Sequence, residues 1–119
     1  MIGSTRNVLV RAHATPVDMR KSFDTLSALV TAAGFEVLSG DLFLFVGKTR
    51  TRAKVLYWDG TGLCLFAKRL ERGRFAAPWR TTGAMRLTTT ELALFLEGST
   101  LVGKVPLSPE PFVAGQQAS

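Results

Sequence analysis

The chain has 119 residues, of which 46% are hydrophobic and 20% charged. That balance suits one domain with a modest core and excludes global disorder. The formal charge is +6 and unevenly spread: from Lys48 to Arg86, ten cations face only Asp59 and Glu71, a local +8 against −2 elsewhere.

Val8-Leu9-Val10 is apolar, partly β-branched and bounded by polar residues, which predicts a short strand. Thr15-Pro16-Val17-Asp18 has the order of a helix start: a capping residue, then proline, then an acid near the positive end of the dipole. Met19, Phe23, Leu26, Leu29, Val30 and Ala33 follow at helical spacing, and Gly34 is the expected stop. On that helix Met19 faces the core, whereas Arg20 and Lys21 turn at least partly to solvent.

Leu42-Phe43-Leu44-Phe45-Val46 is a continuous apolar run, as in a strand buried on both faces. A basic connector, Gly47 to Arg52, leads to Val55-Leu56-Tyr57-Trp58 and Leu63-Cys64-Leu65-Phe66, which flank Asp59-Gly60-Thr61-Gly62. The glycine-containing gap predicts an antiparallel hairpin. If Trp58 pairs with Leu63, then Leu56 faces Leu65, Tyr57 faces Cys64, Val55 faces Phe66 and Lys54 faces Ala67. Arg52, Lys54, Lys68 and Arg69 then gather at the open end, with Lys48, Arg50, Arg72 and Arg74 just beyond.

Residues from Glu71 to Met85 read as irregular, punctuated by Gly73, Pro78 and Gly83. A second helix follows, with Thr88 and Glu91 at capping-box spacing and Leu87 and Leu92 placed for a hydrophobic staple. Leu92, Phe95 and Leu96 give its apolar face, and Gly98 ends it. These elements make an α+β domain: a small antiparallel or mixed sheet of about four strands with two helices. Residues 1–105 form the single domain, and 106–119, with three prolines, are expected to be a flexible tail. Two helices leave part of the sheet to be covered by the loop around Trp79 or by another chain.

The chemistry expected of these residues is binding. Cys64 lies in an apolar run as a small core hydrophobe, and His13 has no catalytic company. One cysteine and one histidine cannot build an intramolecular disulfide or a usual zinc site within one chain. Asp18, Asp24, Asp41, Asp59, Glu71 and Glu91 show no spacing that demands acid-base or two-metal chemistry. Gly60-Thr61-Gly62 lacks the further glycine, lysine and following helix of a phosphate loop. No enzyme activity, cofactor or metal is therefore expected. No apolar run reaches bilayer length, and no basic leader precedes an apolar core, so a cytoplasmic location is expected.

Asp18-Met19-Arg20-Lys21, the Lys54 to Gly60 stretch, Lys68-Arg69-Leu70-Glu71-Arg72-Gly73-Arg74-Phe75 and Leu96-Glu97-Gly98 together resemble the small accessory protein of insertion-sequence-66 type transposable elements, often labelled TnpB. The resemblance spans most of the chain, from Val8 to Gly98. It is not a resemblance to the RNA-guided nuclease that shares the label, which is much larger and carries a catalytic carboxylate set. Two departures stand out. Ala77-Pro78 replaces a frequent Trp-Pro, and Ser99 to Ser119 has one basic residue, Lys104, where relatives tend to be rich in Trp and Arg.

What the resemblance implies is a role in transposition beside a separate catalytic transposase. Combined with the charge pattern, the expected partner is DNA at the element ends, the transposase, or both, with homo-oligomerisation left open. The candidate contact residues are Arg20, Lys21, Arg50, Arg52, Lys54, Lys68, Arg69, Arg72 and Arg74. Two alternatives remain. The same cations could shield strand ends from aggregation, or they could dock on an acidic surface of the transposase without touching DNA.

Overall fold

The computed structural model describes residues 8–80 and 85–98. Chain order is β1 (Val10–Ala12), α1 (Phe23–Ala32), a short 3-10 turn (Val37–Ser39), β2 (Leu42–Val46), β3 (Arg52–Trp58), β4 (Leu63–Arg69), a second 3-10 turn (Pro78–Arg80), β5 (Met85–Leu87) and α2 (Thr89–Leu96). The strands form one mixed sheet in the order β4-β3-β2-β1-β5. β1 and β2 are parallel, joined through α1 as a parallel pair requires, and the other neighbours are antiparallel.

The sheet is an α+β platform with a core on each face. Alternation along β2 explains why its residues are apolar without interruption. Phe43 and Phe45 point to one face, where they join Val17, Leu26, Val30 and Leu56. Leu44 and Val46 point to the other, where they join Val10, Ala12, Ala53, Val55, Phe75, Leu87, Leu92 and Phe95. α1 covers the first face. α2 and the segment around Phe75 cover the second, with the Phe75 and Phe95 rings stacked 5.6 Å apart. The loop around Trp79 thus does cover the sheet: Ala77 and Pro78 are buried, and Trp79 packs on the same cluster.

Several expectations hold in detail. The β3–β4 register pairs Trp58 with Leu63, Tyr57 with Cys64, Leu56 with Leu65, Val55 with Phe66 and Lys54 with Ala67. β2 spans the residues expected of it. α2 starts with a complete capping box: Glu91 N donates to Thr88 Oγ1 at 3.0 Å, and Thr88 N donates to Glu91 Oε1 at 2.8 Å.

Others are corrected. β1 begins at Val10, not Val8, because Leu42 N and the β2 register engage the chain from Leu9 onward. α1 begins at Phe23 after the cap residue Ser22, so residues 15–21 are a non-helical strap. Asp18 is the cause. Its carboxylate accepts the Arg20 backbone N–H at 2.9 Å, a local bond that competes with helix formation. Meanwhile Val17 N donates to Val46 O at 3.0 Å, which holds the strap along the end of β2. Asp18 therefore does not stabilise the helix start. Met19 still packs on the core, but from the strap. It rests on Gly47, where a Cβ would lie only 2.7 Å from Met19 Cγ. Phe23, expected on the core stripe, is 42% exposed at the first helical position.

β5 makes the sheet five-stranded; it falls at the end of the stretch expected to be irregular and is too short to show alternation. The expected flexible tail, 106–119, lies outside the described residues.

Candidate nucleic-acid interface

The site is built from the β3–β4 hairpin upward. At its closed end, Asp59 Oδ1 accepts the backbone N–H groups of Thr61 and Gly62 at 2.9 and 3.0 Å, and Gly60 takes a φ of +105° that favours glycine. These bonds hold the Asp59 carboxyl down at about 2, well below its ordinary value. The N–H groups that a phosphate might have used are already taken by this carboxylate. Cys64 Sγ sits 3.4 Å from Asp59 Oδ2, and burial, with the nearby carboxylate, pushes its thiol pKa up. It is therefore held as a thiol and not activated as a nucleophile.

The register then fixes the open end. Leu70 N donates to Thr51 O at 2.7 Å and Asp59 N to Gly62 O at 3.1 Å, so the hydrogen-bonded pairs are Thr51 with Leu70 and every second pair toward the turn. Arg52 and Arg69 are consequently a directly opposed, non-hydrogen-bonded pair, the arrangement in which facing side chains come closest. Both lie on the α1 side of the sheet, as does Lys54, which is in register with Phe45 of that face. An open groove of about 450 Å³ lies here, lined by Met19, Arg52, Lys54, Lys68, Arg69 and Glu71 among others. Three cations of the α1 side, Arg52, Lys54 and Arg69, thus share this small volume with one carboxylate.

The expected contact residues divide by what they touch. Arg52, Arg72 and Arg74 are exposed, and no ion pair or hydrogen bond engages their side chains among the described residues. Lys68 lines the groove, but its place in the register, opposite Ala53, puts it on the α2 side. Arg69 is exposed and its Nε donates to Glu71 Oε2 at 3.1 Å.

The remaining four residues have partners within the fold. Lys54 Nζ donates to Lys21 O at 2.7 Å, so its ammonium ties the strap to the sheet. Arg50 Nη1 donates to Phe75 O at 3.3 Å, and Phe75 N donates to Arg50 O at 2.7 Å. Arg20 forms a fork on Asp18, with Nε 3.1 Å from Oδ1 and Nη2 2.8 Å from Oδ2. That contact keeps the Asp18 carboxyl well below the usual carboxylate range. Lys21 is half-buried.

The nine candidate contact residues thus fall at several places in the fold. Arg52, Lys54, Lys68 and Arg69 line one groove. Lys21 meets it through its main chain, and Arg72 and Arg74 follow on an exposed turn at Gly73, whose φ is +72°. Phe75, adjacent in sequence, is fully buried and stacks on Phe95. Met19 is a groove residue that the charge pattern did not single out, and Glu71 was read only as a counter-charge. Glu71 was findable two residues beyond Arg69, whereas Met19 reaches the groove through the strap.

Among the described residues there is no group of three His, Cys, Asp or Glu side chains placed to hold a metal ion. No helix among them is long and apolar enough to cross a membrane.

Comparison with known proteins agrees with the motif resemblance. The family described as IS66 Orf2 like protein matches residues 8–104. Two proteins of Sinorhizobium fredii (strain NBRC 101917 / NGR234) are similar over 99 residues, 82% of this chain. One, named uncharacterized protein y4jC, is 36% identical with 85% of its length covered. The other, named uncharacterized protein y4hO, is 38% identical with 86% covered. No solved structure matches. The chain belongs to the IS66 Orf2-like family.

Proposed function

We propose that this IS66 Orf2-like protein is a non-catalytic accessory component of bacterial DNA transposition, acting in the cytoplasm, that grips the DNA backbone through the open end of the β3–β4 hairpin. The observation that carries this reading is the Arg52–Arg69 pair. Like charges directly opposite on adjacent strands oppose sheet formation, and here they flank a groove with only Glu71 as a counter-charge. An anion seated between two guanidinium groups turns that repulsion into attraction, and phosphate suits their planar donor forks. Arg72 and Arg74 extend the cationic surface along the chain. Contacts of this kind give affinity and position with little sequence discrimination. The test is fluorescence anisotropy with duplex DNA from the element ends. Binding at low salt that weakens as salt rises supports the reading; absence of binding at low salt defeats it.

A second reading is an adaptor that docks on the transposase. The Arg20 side chain is 89% exposed beside Asp18, and Phe23 of α1 and Leu38 of the following 3-10 turn are exposed apolar residues. Co-purification with the transposase after nuclease treatment would favour this reading. Loss of the complex on nuclease treatment would favour contact through DNA.

A further inference from the structure

We propose that β4 is a self-pairing edge that joins two copies of this chain through an antiparallel β4–β4 contact centred on Phe66. β4 is an outer strand of the sheet and runs seven residues. Its hydrogen-bonding phase is fixed at both ends, by Asp59 with Gly62 and by Thr51 with Leu70. Cys64, Phe66 and Lys68 therefore spend their backbone groups on β3, and Leu63, Leu65, Ala67 and Arg69 aim theirs away from the sheet. Such a row is a template for another strand.

The side chains select the partner and the register. Phe66 is 46% exposed at the centre of the strand, Leu63 to Leu65 lie before it, and Lys68 and Arg69 lie after it. A two-fold antiparallel pairing on Phe66 sets Leu63 against Arg69 of the second copy and Leu65 against Ala67, all through the outward backbone groups. Phe66 then meets its own counterpart in a non-hydrogen-bonded pair, where side chains approach most closely. This register engages all seven residues and places each Lys68 beside Cys64 of the other copy. Centring on Lys68 would oppose like charges. Centring on Cys64 would run the strand into the 59–62 turn. Pairing on Phe66 thus keeps the cations of the two copies apart while it engages the strand along its whole length.

The result is one continuous sheet made of two five-stranded ones. Directly opposed residues share a face, so the Arg52–Arg69 clusters of both copies lie on the same side of it. The inference does not depend on DNA contact, and its test contains no DNA.

The test is sedimentation of the full chain at micromolar concentration, beside Ala67→Pro. The Ala67 N–H points outward, so proline there removes an intersubunit donor and no bond within the chain. The expected result is a dimer for the parent chain and a halved mass for Ala67→Pro, with circular dichroism unchanged. A parent chain that stays monomeric, or a folded Ala67→Pro variant that stays dimeric, overturns the proposal. Should Ala67→Pro not fold, cysteine pairing decides. In a Cys64→Ser background, Phe66→Cys is expected to form a disulfide-linked dimer under mild oxidation, since facing Cα atoms of such a pair lie within disulfide reach. Leu65→Cys, facing Ala67, is expected to form far less. The reverse order overturns the register.

Discussion

Lys54 Nζ donates to the main-chain carbonyl of Lys21 across 2.7 Å, linking β3, the first strand of the hairpin, to a strap 33 residues earlier. The ammonium is part-buried, and its role is to hold Met19 and the strap against the groove. Lys54→Met keeps most of the aliphatic stem but leaves the Lys21 carbonyl without its charged donor. We expect a loss of about 1–2 kcal/mol in urea denaturation. A variant as stable as the parent would show that the strap does not need this tie.

Arg50 is the one non-glycine residue with positive φ among those described, at +64°. Its guanidinium compensates through Phe75 O. Arg50→Ala keeps the strained backbone and loses the bond, which should cost about 1 kcal/mol. Arg50→Gly loses the bond but relieves about 1 kcal/mol of backbone strain, so its stability should stay near the parent's. Thermal melts of the two variants check this, and equal losses in both would contradict it.

The Asp59 carboxyl is held at about 2, against an ordinary 3.8, chiefly by the Thr61 and Gly62 N–H groups. A lowered folded-state pKa means that the ionised carboxylate favours the folded hairpin. Its contribution is complete above pH about 4 and fades as pH falls toward 2. Asp59→Ala should therefore melt below the parent at pH 7, with the difference closing near pH 2. A difference independent of pH over that range would assign the effect to turn geometry alone.

Thr88 and Glu91 satisfy each other's backbone donors at the start of α2. Thr88→Ala should lower stability by about 1 kcal/mol. Because Leu92 and Phe95 anchor the helix in the α2-side core, helix content by circular dichroism should remain at low temperature. Loss of the helix signal in the cold would mean that the cap, and not packing, forms the helix.

What could be read from the residues was local. The hairpin register follows from two apolar runs around a four-residue gap, and the α2 boundary from a capping pair three residues apart. What was hidden depends on main-chain groups distant in sequence. Nothing in the identity of Lys21 marks its carbonyl as the acceptor for Lys54. The α1 start was misplaced because Asp18 serves a local turn as readily as a helix terminus. β5 carries only three residues and exists through its pairing with β1. The basic cluster was legible as charge, but its division into groove residues, fold-holding residues and an exposed turn required the sheet.

The proposed function rests on Arg52 and Arg69 binding phosphate together. The most direct measurement is the salt dependence of duplex DNA affinity for the parent chain and for a double Arg52→Gln, Arg69→Gln variant, with thermal stability recorded beside it. We expect weaker binding, a slope of log affinity against log salt reduced by about 1–2, and a melting temperature equal to or above the parent's because the opposed charges are gone. Unchanged affinity and slope in a variant that folds normally would contradict it.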